Sequence, residues 1–275
     1  MKRYVEKVWV RRRVSLLFLT ALWEALAQFG AIDPFYAPAP SEILGVVISL
    51  FAEGSILGHL EATFTAALAG LVIGLALGVL FGFAAALIPF VADVLEPIMM
   101  LLNAIPRVIM APLFVIWLGI ELPSKIALAV VLVAVLMFFA VYSGIKDVNQ
   151  LLVDRVCTLG GGRMILLREV YIPSVTAWVL GSLKVAVGFA FTGAVVGEFV
   201  AATRGLGYLL QFAQSTYNAA LTMGLIFLIM AFVLILFMGA EAIEHWLLRG
   251  RPRGAEHKSV GTLSVGLSSR RIKGN

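Results

Sequence analysis

Apolar positions in this chain gather into long runs separated by short polar intervals. Three windows carry no charge: 62–92, between Glu61 and Asp93; 126–145, between Lys125 and Lys146; and 205–240, between Arg204 and Glu241. Three more carry one or two charges: 14–32 has Glu24, 94–118 has Glu96 and Arg107, and 174–200 has Lys184 and Glu198. Crossing a bilayer takes ~20 apolar residues per helix. The pattern predicts an all-α, polytopic helical membrane protein with about six transmembrane helices, near 14–32, 62–88, 94–118, 125–145, 174–199 and 223–247. The window from 205 is long enough for one span plus an interfacial or re-entrant stretch. Between the first two spans, Ser41 is expected to cap a short amphipathic helix, 42–52, lying on the membrane surface.

Composition agrees. Of 275 residues, 61% are hydrophobic and 13% charged, whereas a soluble domain carries about 25% charged residues. The mean hydropathy is +1.01. A soluble enzyme, a chain disordered as a whole and a nucleic-acid-binding domain are thereby excluded. The expected organisation is a basic N-terminus, 1–13, a single transmembrane domain, 14–248, and a disordered Arg-, Gly- and Ser-rich tail, 249–275.

Charge then orients the chain. The net charge is +5, from 21 Lys and Arg against 16 Asp and Glu. Six basic residues lie in 1–13, four in 146–173 (Lys146, Arg155, Arg163, Arg168) and seven from 249 onward. Basic loops stay on the cytoplasmic side, so both termini and 146–173 are expected to be cytoplasmic, anchored against lipid rather than nucleic acid. The first apolar run resembles a cleavable signal, with Ala25-Leu26-Ala27 as the cut site. It continues to Ile32, which favours an uncleaved first helix.

Several residues stand out within the spans. Gly70, Gly74, Gly78 and Gly82 recur every four residues and share one helix face, a pattern of close helix packing. Pro97, Pro106 and Pro112 interrupt the third span. Broken helices at membrane depth need protein or a water-filled cavity beside them, so Pro106, Arg107 and Pro112 are candidate pathway or gating residues. Lys184 joins them, because an ammonium inside a span must pair, snorkel or face water. Glu198 is expected at the interface that closes the fifth span.

The interval 146–173 is the least membrane-like part of the interior. Segments 153–158 and 163–170 can each form a short helix around the corner Gly160-Gly161-Gly162, with Pro173 stopping the second before the fifth span. Two helices around a glycine corner suit a docking surface better than a linker.

No catalytic constellation is visible. The sequence has no P-loop, no H-E-x-x-H and no G-x-S-x-G. The single Cys157 and the scattered His59, His245 and His257 offer no metal site.

The cytoplasmic interval also carries a resemblance. Asp154-Arg155-Val156, then Gly160, then Val170-Tyr171-Ile172-Pro173 match the spacing of the signature E-A-A, three residues, G, nine residues, I-x-L-P. Here D-R-V stands for E-A-A, and Gly161-Gly162 for the more usual Ala-Ser. Ile105-Pro106-Arg107, Ala111-Pro112-Leu113, Trp117-Leu118-Gly119, Pro123-Ser124-Lys125-Ile126, Leu183-Lys184 and Gly205-Leu206-Gly207-Tyr208 agree too. Over about residues 38–247 the chain resembles the permease subunits of binding-protein-dependent ABC importers, in the branch handling nitrate, sulfonates, taurine, bicarbonate and vitamin precursors. The resemblance implies a multi-pass inner-membrane homodimer, two cytoplasmic ABC ATPase subunits and an extracytoplasmic solute-binding protein. It implies that ATP and Mg sit on the ATPase and that this chain holds no cofactor. It also makes 154–173 the coupling element, with Asp154, Arg155, Gly160, Gly161, Gly162, Arg163 and Pro173 in the docking loop. An ion-coupled secondary transporter is the alternative, although the two halves of the chain show no repeat.

Overall fold

The computed structural model describes residues 2–248, except for the side chains of 2–10, 12, 107, 245, 247 and 248. The expectation for the tail 249–275, the basic side chains of 2–10 and 12, and the Arg107 side chain therefore lie outside the described residues. Among those described there is no strand. Eleven helices follow one another: α1 (Lys2–Gln28), α2 (Pro40–Ala52), α3 (Leu57–Leu87), α4 (Pro89–Ala104), α5 (Arg107–Leu118), α6 (Leu122–Lys146), α7 (Gln150–Thr158), α8 (Arg163–Leu166), α9 (Ile172–Val200), α10 (Leu206–Ser215) and α11 (Ala219–Leu248).

Four stretches are long and apolar enough to cross a membrane: Leu57–Leu87, Leu122–Lys146, Arg163–Val200 and Ala219–Glu244. The first expected span is shorter than its apolar run, because α1 ends at Gln28 and Gly30 turns the chain at φ +73°. The third expected span, 94–118, is not one helix. It is α4 and α5, bent by 109° at Ile105-Pro106. Proline cannot donate to the helix ladder, and it pushes the residue before it into extended backbone. Ile105 accordingly sits at φ −70°, ψ 127°. Pro97 and Pro112 lie inside α4 and α5 without breaking them.

The core is built around α6. The glycine face of α3 lies against it: side chains added at Gly74, Gly78 and Gly82 would meet the Cβ atoms of Val133, Met137 and Val141 at 2.6, 2.5 and 2.7 Å, and Gly70 abuts Ala129. The partners rise together along both helices, so α3 and α6 run parallel. Two parallel helices in sequence require the chain to return between them, and α4 with α5 makes that return. On its other side α6 meets α9, with Gly193 against Ala129, Gly197 against Lys125 and Gly144 against Trp178. Here the numbers run in opposite senses, so α9 is antiparallel. α11 packs outside α9 with Phe237 over Gly188, and α2 lies on α11 with Val47 at Gly224.

The start of α2 differs from the expected Ser41 cap. Ala39 is the cap, Pro40 is the first helical residue, and the Glu24 carboxylate of α1 accepts from the Ser41 N–H at 2.9 Å and its hydroxyl at 2.6 Å. A carboxylate at a helix N-terminus satisfies an orphan donor and suits the positive end of the dipole.

Candidate functional site

The interval 146–173 leaves the bundle at the end where α3 and α6 finish and α9 begins. The Asn149 side chain opens α7 by accepting from the Leu151 N–H at 2.9 Å. The helix ends in a Schellman turn. Gly160 takes φ +80°, its N–H reaches the Cys157 carbonyl at 3.0 Å, and the Gly161 N–H reaches the Val156 carbonyl at 2.8 Å. Only glycine adopts that φ cheaply. A side chain at Gly161 would sit 2.5 Å from the Val156 methyl, so this second glycine is also sterically required. Gly162 then caps α8, its carbonyl accepting from Ile165 and Leu166.

Pro173 does not stop the second arm. Residues 163–200 form one 38-residue helix, with a π turn over Leu167–Tyr171 just before the proline. A helix interior cannot take proline without losing one bond and clashing with the carbonyl four residues back. A π turn loosens the ladder where that clash would fall. The chain keeps its direction, and α8 is a rigid extension of α9.

The segment holds its apolar side chains outward. No residue of α7 or α8 is buried. Leu159 is 88% exposed and Met164 74%, with Leu151, Leu152 and Ile165 also exposed. Asp154, Arg155 and Arg163 are exposed around them.

The α4–α5 corner borders a second feature. Leu102, Asn103, Ile105, Val135 and Phe139, with Phe189 of α9, line a cavity of about 270 Å³. Asn103 and Pro106 are exposed, whereas Met110 and Ala111 of α5 bury against Leu128. Lys184 is not among the residues lining this cavity. Its ammonium contacts the Glu241 carboxylate of α11 at 3.1 Å and lies over the Phe237 ring.

One polar cluster escaped the sequence reading. Glu198, two residues before the end of α9, is 2% exposed. Its carboxylate accepts from the Thr63 hydroxyl at 2.8 Å and from the Gly207 N–H at 3.0 Å. The Thr63 oxygen accepts from the Leu206 N–H at 2.9 Å, and His59 Nδ1 from the Gly205 N–H at 3.0 Å. The amides of the cap Gly205 and of the first two residues of α10, left over by helix geometry, are thus taken by side chains of α3 and α9. A side chain on Gly205 would overlap the Glu198 carboxylate. Lys125, 3% exposed, donates to the Ile120 carbonyl and faces Glu198 across a cavity of about 150 Å³. The available signal was an acidic residue inside an apolar window, followed by Gly-Leu-Gly.

Among the described residues no cluster of His, Cys, Asp and Glu could hold a metal ion.

Known proteins share this arrangement. Residues 74–250 match the family described as binding-protein-dependent transport system inner membrane component. The taurine transport system permease protein TauC of Escherichia coli is 28% identical, over 85% of this chain and 86% of its own. The formylaminopyrimidine transport permease protein ThiX of Halalkalibacterium halodurans is 30% identical, over 86% and 94%. Among solved structures, an amino acid ABC transporter with histidines superposes with a TM-score of 0.59 at 16% identity, over 74% of this chain and 97% of that one. The inward-facing MetNI methionine ABC transporter gives 0.55 at 21%, over 73% and 97%. These two likenesses show the fold. The family match, covering well over half the chain, fixes the rest: this protein belongs to the inner-membrane components of binding-protein-dependent transport systems and is an ABC importer permease subunit.

Proposed function

We propose that two copies of this chain form the pathway of an inner-membrane importer, with both termini cytoplasmic. One ATPase subunit docks on the 146–173 segment of each copy. ATP and Mg²⁺ are bound by the ATPase, and a solute-binding protein delivers cargo at the opposite end. The observation that carries this reading is the segment itself. Two helices are held at a fixed angle by a Schellman turn, one is continuous with a spanning helix, and both present exposed Leu and Met side chains. Apolar side chains clustered outside the bundle mark a partner surface. A rigid arm continuous with α9 can transmit a partner's motion into the packed helices. The corner at Pro106, with Arg107 and Pro112 beside it, lines the pathway. The solute is of the nitrate, sulfonate, taurine, bicarbonate or vitamin-precursor type; the relatives TauC and ThiX are named for transport of taurine and of formylaminopyrimidine.

The test is isolation of the tagged chain from its native membrane. The ATPase should co-elute with it. Leu159→Asp combined with Met164→Asp should abolish co-elution while membrane insertion is unchanged. Uptake by the purified chain alone, driven by an ion gradient without ATP, would identify a secondary transporter instead.

A further inference from the structure

The C-terminal turn of α6 joins the docking segment to the broken span through one side chain. Tyr142 is 6% exposed, and its hydroxyl donates to Glu96 of α4 at 2.6 Å. The Lys146 ammonium stands 4.1 Å from the centre of the same ring, and Phe138 stacks against it at 5.6 Å and 13°. A hydrogen bond to a carboxylate is about twice as strong as a neutral one, and a cation over an aromatic face adds to it. The phenol is therefore fixed from both sides, by an anion on one helix and a cation on its own.

Its position matters as much as its bonds. Lys146 is the last residue of α6, four residues before α7 starts, and Glu96 lies on α4 before the break at Pro106. On its other side the same turn of α6 is gripped by α9, through Trp178 at Gly144 and Val175 against Val141 and Ile145. A displacement of the α8–α9 arm is delivered to this turn by close packing. Among the described contacts between α4 and the end of α6, the Tyr142–Glu96 bond is the directional one; the rest of that surface is apolar packing of Met99 of α4 with Val135 and Phe138 of α6. Apolar surfaces slide, whereas a charged hydrogen bond holds register.

We infer that Glu96, Tyr142 and Lys146 form the linkage through which movement of the docking segment turns α4 and displaces the Ile105-Pro106 corner. This rests on the docking role proposed above. Tyr142 and Glu96 act as positioning residues, and neither is assigned a contact with solute.

The test uses the complex with its ATPase, in a Cys157→Ser background. Nitroxides are placed at Leu80 of α3 and Ile98 of α4, both exposed, and the labelled chain is diluted with unlabelled chain. Distances are read with and without MgATP plus vanadate. The parent complex should show a nucleotide-dependent distance change. In Tyr142→Phe, which keeps the ring and loses only the hydroxyl, the ratio of shifted to unshifted complexes should fall about 2- to 30-fold, the span seen for substitutions within coupling networks. Glu96→Gln, which still accepts from the phenol but without the charge, should keep more of the shift than Tyr142→Phe and less than the parent, a distinction that loss of packing alone would not make. ATPase co-elution and ATP hydrolysis should persist in both variants. A full shift in Tyr142→Phe, or no shift in a parent complex that hydrolyses ATP, overturns the linkage and leaves the docking role standing. A parent chain that brings no ATPase with it overturns both.

Discussion

A methyl group on Gly193 would stand 2.7 Å from the Cα of Ala129, so α6 and α9 touch backbone to backbone at this point. The obstructing atoms are main chain and cannot rotate away. Gly193→Ala is expected to destabilise the bundle by about 1–3 kcal/mol or more, as overpacking does. Gly181→Ala, on the same helix with nothing within 4 Å, should be neutral. Thermal unfolding of both variants in one detergent tests the contrast, and equal midpoints would be incompatible with it.

Glu198 holds α10 at its first amides. Glu198→Ala leaves the Gly207 N–H buried without its acceptor, a loss of about 1–3 kcal/mol. The consequence is local opening rather than global unfolding. Amide exchange over Leu206–Ser215 should accelerate, while α6 stays protected. Glu198→Gln, which keeps an acceptor oxygen, should show a smaller effect.

Pro173 maintains the π turn before it. With Pro173→Ala the ladder over Leu167–Tyr171 can close as an ordinary α-helix. Removing one residue's worth of π geometry rotates everything N-terminal to it by roughly 100°. Met164 and the glycine corner would then face away from their present direction. Insertion and thermal stability should survive, and ATPase co-elution should not. Undiminished co-elution would show that the turn is incidental.

Lys184 and Glu241 bridge α9 and α11 at 3.1 Å. Removing the ammonium takes the Lys184 contact away from a carboxylate that stays charged inside a span, which costs more than removing both charges. Lys184→Met should lower the yield of folded protein, and the double variant Lys184→Met with Glu241→Gln should recover part of it. If the double variant is worse than either single one, the pair does not account for Lys184.

Several of these features can be traced to the sequence, and others cannot. The four-residue spacing of Gly70, Gly74, Gly78 and Gly82 identifies a face of α3, because helix periodicity is local. It says nothing of the partner, and Ala129, Val133, Met137 and Val141 lie in a window chosen only for its hydropathy. The glycine corner at 160–162 is legible for the same local reason. Pro106 and Pro173 share one chemistry and have opposite outcomes. The chain turns by 109° at the first, while at the second a π turn preserves direction. Which outcome a proline takes is decided by the helices around it. Glu198, Thr63 and His59 are the extreme case, because their contacts with the start of α10 span up to 146 residues and no spacing rule reaches that far.

The exposed Cys157 has a practical consequence. It is the chain's single thiol and lies on α7, three residues before the turn at Gly160. A maleimide dye therefore attaches at one position per chain without any engineering. Because that position lies on the surface proposed for the ATPase, the rate of labelling in native membranes would count occupied and vacant transporters directly, before any solute is known.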